Sequence, residues 1–146
     1  MKKILLKIAK TNKNLVILNT RSTKLDDFTK FFPNRIFTFG MAEANMVSCS
    51  AGFTITGNLP LIIGNAEFLP IKAFDQIYND ICLPNLNIKI LGVGKSELID
   101  KLQESYDKNP SSFPFPHLKM RKIKDPKDIE EAIKDYGPVY MSIDEF

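Results

Sequence analysis

Glu43 follows Gly40-Met41-Ala42 at a point where an alternating, β-like stretch gives way to helical spacing. A carboxylate at the mouth of such a turn can share a proton with a ligand nitrogen and so serve acid–base chemistry. By residue type alone, an acidic side chain in a first helical turn is equally accounted for by the helix macrodipole. A second polar set, Asp75, Gln76, Asn79 and Asp80, recurs along one side of a predicted helix and suits either a solvated face or a protein contact. Gly92-Val93-Gly94-Lys95-Ser96 invites comparison with a phosphate-binding loop. Lys89 occupies the place where that loop needs its first glycine, and the stretch is too short to wrap a diphosphate. It reads instead as a strand-to-helix turn with Ser96 as the cap. Cys49, Cys82 and the single His117 are too few and too scattered for a metal site.

The elements that position these residues follow from apolar periodicity. Helical spacing covers residues 3–10, 42–56, 70–83 and 96–106. A short helix spans Asp26 to Phe32, and another opens at Asp125-Pro126, where Asp125 can cap and Pro126 fits the first helical position. In helix 42–56 the predicted apolar stripe is Ala44, Val47, Ala51 and Ile55. In helix 70–83 it is Ala73, Phe74, Ile77 and Ile81, with Pro70 in the first turn. Leu15 to Leu18, Leu59 to Ile63 and Asn87 to Leu91 are compact apolar runs of the kind that strands buried on both faces require. Arg35 to Phe39, Leu118 to Ile123 and Val139 to Ile143 complete the strands. Gly40 closes the first of these, Gly64-Asn65 is a predicted turn, and residues 109–116 form a loop of prolines, serines and phenylalanines. Strands alternating with helices across short loops predict an α/β fold, three layers deep. Its sheet is doubly wound and mostly parallel, with helices on both faces. Ligands of such sheets bind beyond the carboxyl ends of the strands.

The totals set bounds. The chain has 146 residues, which suits a single domain, with 44% hydrophobic and 25% charged residues. A net charge of +3 with scattered lysines gives no basic stripe for nucleic acid. No run is long enough to span a membrane, and Lys7 and Lys10 interrupt the apolar start before it could serve as a signal peptide. Two cysteines within apolar patterns read as buried free thiols, which suits a cytoplasmic location.

Two elements carry a resemblance. Gly40-Met41-Ala42-Glu43-Ala44-Asn45-Met46 and Gln76-Ile77-Tyr78-Asn79-Asp80-Ile81 stand on either side of an apolar strand. Pro33-Asn34-Arg35, Gly57-Asn58-Leu59-Pro60, Ala73-Phe74-Asp75 and Asn85-Leu86-Asn87 lie around them. In order and spacing this resembles the pyrimidine-binding domain of transketolases and related thiamine diphosphate enzymes. Gly137-Pro138-Val139-Tyr140 is similar to that domain's last strand. The Ala-Glu-x-Asn-Met wording favours the transketolase branch over the corresponding half of a two-oxoacid dehydrogenase or decarboxylase, which shares the glutamate. The resemblance implies that Glu43 contacts a ring nitrogen of the cofactor's aminopyrimidine. Sharing a proton there would promote the imino form that deprotonates the thiazolium. It also implies that Phe68 stacks on the ring, with Met41 and Asn65 beside it, and that Asn45, Asp75, Gln76, Asn79 and Asp80 lie at subunit contacts.

The same resemblance predicts what must come from elsewhere. The family's Gly-Asp-Gly element, which holds Mg²⁺ and the diphosphate, has no counterpart in this sequence, and neither does its C-terminal domain. The expectation is therefore a split transketolase subunit that needs a diphosphate-domain partner for ketol transfer between sugar phosphates, with a homodimer contact besides. The sequence also departs from the family. Asn65 stands where an aromatic is usual, Tyr78 replaces a frequent arginine, and Ala44 replaces a frequent glutamine. Residues 92–117 replace the family's histidine-bearing loop, and His117 does not match its position. These departures carry the alternative expectation of a non-catalytic structural or regulatory partner that keeps the fold.

Overall fold

A computed structural model of the chain describes residues 2–20 and 25–145. Six strands form one sheet in the order β2-β1-β3-β4-β6-β5, and every neighbouring pair is parallel. The strands are β1 (Leu15–Thr20), β2 (Ile36–Gly40), β3 (Leu59–Asn65), β4 (Lys89–Val93), β5 (Lys119–Lys122) and β6 (Val139–Ile143). The helices are α1 (Lys2–Thr11), α2 (Asp26–Phe31), α3 (Glu43–Ile55), α4 (Phe68–Lys72), α5 (Phe74–Gln76), α6 (Glu97–Lys108) and α7 (Pro126–Lys134). A π-helical turn, Ile77–Cys82, continues α5. The chain steps outward from β1 to β2, then returns past β1 to β3. The strand order therefore reverses between β1 and β3, and a crevice opens at their carboxyl ends.

The strands divide their side chains between two cores by strict alternation. Val16, Leu18, Ile62, Ile90 and Tyr140 face one side, with Met46 and Val47 of α3, Leu69 of α4, Ile77 and Ile81. Leu15, Ile17, Leu61, Ile63, Leu91, Val139 and Met141 face the other, with Leu5 and Ile8 of α1, Phe28 of α2 and Ile129 and Ile133 of α7. Both faces of the central strands are thus dry, which explains their unbroken apolar runs.

The predicted three-layer fold is the one observed, and several local expectations also hold. Gly40 ends β2 at φ 67°, and Gly57 follows α3 at φ 87°. Asp125 caps α7 through Oδ1, which accepts from the Lys127 amide at 2.7 Å, with Pro126 in the first turn. The Asp128 carboxylate closes the box by accepting the Asp125 and Lys124 amides. Those amide bonds hold it below the usual carboxylate range.

Four expectations fail, each for a physical reason. Gly64-Asn65 does not turn the chain; both residues extend β3 and pair with Gly92 and Val93. Gly92 lies inside β4, and only Gly94, at φ 109°, turns toward α6. The helix predicted over 70–83 instead starts at Phe68, breaks at Ala73 and resumes as α5 and the π-helical turn. There the Leu83 amide reaches back to the Tyr78 carbonyl, a five-residue step. The stripe of α3 is rotated from its predicted face: Met46, Val47 and Ser50 are buried while Ile55 is exposed. Phe74 is likewise exposed, packing edge-on against Phe115. Cys82 is buried and Cys49 half-buried, and both are free thiols.

Candidate functional site

Glu43 opens α3 immediately beyond the carboxyl end of β2, because Gly40 takes a left-handed conformation and frees the chain to turn. Its neighbour Met46 is wholly buried, and this anchors the first turn. The Glu43 side chain is only 7% exposed, so its carboxylate needs a compensating partner. Lys72, at the end of α4, provides it: Nζ donates to Oε1 at 3.4 Å and to Oε2 at 3.5 Å.

Phe68 stands one turn earlier on α4 and is 54% exposed, so core packing does not explain it. The Lys72 ammonium lies 5.6 Å from its ring centroid. Asn65, at the end of β3, accepts the Glu67 and Phe68 amides on Oδ1 at 3.0 and 2.9 Å. It thereby serves the amino end of α4 in the manner of an Asx turn, orienting the helix that carries Phe68 and Lys72. Glu43, Phe68 and Lys72 therefore converge, with Asn65 supporting them from behind. Met41 is largely exposed on the turn before α3.

The predicted contact residues occupy a neighbouring face. Asn45 is exposed on α3, one turn from Glu43, and accepts a long contact from Cys49 Sγ at 3.6 Å. Asp75 and Asn79 are exposed, while Gln76 and Asp80 are half-buried. Asp80 accepts from Ser48 Oγ at 2.7 Å, clamping the π-helical turn to α3. The interface residues thus share a face, and one of them also has a structural task inside the chain.

Two buried groups escaped the sequence reading. Asn19 and Thr20 end β1 at the point where strand order reverses, and Asn19 Oδ1 accepts from Thr38 Oγ1 of β2 at 2.9 Å. A polar pair closing an otherwise apolar strand was the available signal. Lys72 was the other omission; its position four residues beyond Phe68 on a helix places the two on one face.

The competing sites dissolve. Ser96 Oγ accepts the Ile99 amide at 3.3 Å and caps α6, so Gly94-Lys95-Ser96 serves as a helix start. His117 is exposed at φ 63°, at the entry to β5. Among the described residues, no group of three or more His, Cys, Asp or Glu could hold a metal, and no helix is long and apolar enough to cross a membrane.

No protein-family model matches the chain. Individual proteins do. One of the two-chain type, a subunit of the apulose-4-phosphate transketolase of Actinobacillus succinogenes, is 29% identical over 133 residues, covering 86% of this chain and 43% of that protein. The solved structure described as a split gene transketolase, inactive beta4 tetramer, superposes with a TM-score of 0.80 at 28% identity, over 97% of this chain and 48% of that one. The chain belongs to the transketolase-like family. It is also similar to 1-deoxy-D-xylulose-5-phosphate synthase of Bacillus cereus, at 32% identity over 130 residues, 87% of this chain and 20% of that enzyme. Transketolase from Campylobacter jejuni shares the fold, with a TM-score of 0.75 at 14% identity over 97% of this chain and 24% of that one. This transketolase-like chain spans less than half the length of each of these relatives.

Proposed function

We propose that this chain supplies the aminopyrimidine half of a thiamine diphosphate site formed with a second, diphosphate-binding chain, and that the pair transfers a ketol unit between sugar phosphates. The observation that carries the reading is a buried carboxylate, Glu43, beside an exposed aromatic, Phe68, at the carboxyl edge of the sheet. These are the two residue types that an aminopyrimidine needs, one to share a proton and one to stack. Met41, Phe68, Ile71 and Phe74 are all exposed around this corner, an apolar surface suited to burial against another protein. Relatives described as a transketolase subunit and as a split gene transketolase support a partner chain.

The residues present fit the pyrimidine half of the cofactor and not its diphosphate half, so Mg²⁺ and the phosphates fall to the partner. When bound, the cofactor supplies the electron sink for cleaving the carbon–carbon bond beside a ketose carbonyl. Glu43 exchanges a proton with a ring nitrogen from a buried position, where water does not compete for its oxygens. Phe68 offers the ring a face, and Asn65 fixes the helix that presents it.

The test is reconstitution with the diphosphate-domain chain encoded nearest to this one. Glu43→Gln should lower turnover by at least about a hundredfold, the scale of a lost general acid–base group, and weaken cofactor binding. Unchanged affinity and turnover would remove the role. A second reading, a non-catalytic structural or regulatory partner, draws on Asn65, which is spent on the α4 backbone where relatives are expected to place a ring-binding aromatic. Calorimetry of the reconstituted pair with thiamine diphosphate and Mg²⁺ separates the two: tight binding with turnover ends the second reading.

A further inference from the structure

The Glu43 carboxylate is already engaged. Lys72 Nζ lies almost equally far from its two oxygens, 3.4 and 3.5 Å, so the ammonium sits across the end of the carboxylate and not to one side. The same ammonium lies 5.6 Å from the Phe68 ring centroid. One cation therefore bridges both side chains that the proposed function assigns to the ring. A planar heterocycle that stacked on Phe68 and shared a proton with Glu43 would enter the space the ammonium holds. Its nitrogen, carrying the shared proton, would also face a like charge across a poorly solvated carboxylate. The two cations cannot both occupy this end of Glu43.

Lys72 can leave. Its side chain is 39% exposed, it is the last residue of α4, and its distances to the carboxylate are long for an ion pair. A lysine stem has the freedom to swing to solvent without moving the backbone. Resting on the proposed aminopyrimidine role of this corner, we propose that Lys72 is a built-in competitor for that ligand. It neutralises Glu43 while the site is empty, and the ring must displace it to bind. The affinity of the chain is then lowered by the fraction of time that Lys72 is docked, and this makes Lys72 a specificity-determining residue, since a ligand that only stacks gains nothing from displacing it.

The test uses the intact chain, a free 4-aminopyrimidine as probe, and two readouts independent of turnover. The first is the acylation rate of the Lys72 amine by an amine-selective reagent, read by mass spectrometry. The second is the probe's affinity by NMR titration. The expected results are that Glu43→Gln speeds Lys72 acylation, that saturating probe speeds it in the unmodified chain, and that Lys72→Met binds the probe about three- to tenfold more tightly, as removal of a mostly docked competitor requires. Lys72→Ala, with the same charge change and less bulk, should act in the same direction, and circular dichroism establishes that each variant is folded. Slower acylation with probe present, or weaker binding by both variants, would make Lys72 a ligand contact and overturn the proposal. Equal probe affinity in the unmodified chain and both variants would remove the competition while leaving the ring site standing. No probe binding by any of the chains, Lys72→Met included, would remove the ring site itself, and the proposal with it.

Discussion

At the amino ends of β4 and β6, Lys89 is fully buried. Its ammonium donates to Asn87 Oδ1 at 2.7 Å, to the Gly137 carbonyl at 2.7 Å and to the Asp135 carbonyl. At the carboxyl edge of the same sheet, Lys72 is partly exposed and meets Glu43 at no less than 3.4 Å. The first lysine spends all three donors on the turn between α7 and β6, where Arg121 also holds Asp135 at 2.6 Å. Such a saturated cation has nothing left to offer a ligand. The second is loosely held beside a carboxylate it could surrender. The contrast separates a lysine that builds from one that can yield, and burial alone does not draw the line, because the number and closeness of acceptors matter as much.

The largest effect that would sharpen this contrast is Lys89→Met. It strands three acceptors in a dry site and should lower stability by about 3 kcal/mol in denaturant titration. Lys72→Met, by comparison, should stay within about 0.5 kcal/mol. Equal losses would erase the distinction. Next is Gly92→Ala: a Cβ there would collide with Tyr140 Oη and stand 2.9 Å from Ala66 Cα, so about 2 kcal/mol should be lost to overpacking. A smaller effect follows from titration. Burial lowers Lys89 from 10.5 to about 8, aided by Lys119 and Arg121 and opposed by Asp135. From about 8 to 10.5 the unfolded chain therefore keeps a proton that the folded chain has released, and the stability contribution of Lys89 rises with pH across that window. The stability of the unmodified chain relative to Lys89→Met should shift in its favour as pH climbs through the interval; a flat difference would show the ammonium staying charged. Smallest is Phe68→Ala, expected to leave stability within about 0.5 kcal/mol because the ring is exposed. The same change should weaken aminopyrimidine binding about fivefold, the loss of one stacking face.

Much of the architecture was legible because parallel strands buried on both faces leave a plain signature. Leu15 to Leu18 and Leu59 to Ile63 could hardly be anything else, and Gly40 with Asp125-Pro126 marked real boundaries. What failed were features set by tertiary contact. Apolar spacing cannot register a five-residue helical step, so the stretch after Ala73 read as ordinary helix. Gly92 looked like a turn because the reason for its missing side chain, Tyr140 crossing toward Ala66, lies far away in sequence. Glu43 and Phe68 were found through a shared pattern of neighbouring residues. Lys72 belonged to no such pattern, and only the approach of α4 to α3 brought it to Glu43. Lys89 sat in an apolar run as an apparent flaw; three oxygens distant in the fold explain it.

The Tyr140 hydroxyl donates to the Ala66 carbonyl at 2.8 Å, passing over the bare backbone of Gly92. Ala66 lies between Asn65 and the helix that bears Phe68. A central strand is thus riveted to the ledge on which the aromatic stands, and the hydroxyl, pushed well above its ordinary pKa by burial, stays a donor across the physiological range. Motion at this corner is consequently confined to side chains: the floor beneath Phe68 is as stiff as the sheet, and adaptation to an incoming ring falls to the tips of Lys72 and Met41.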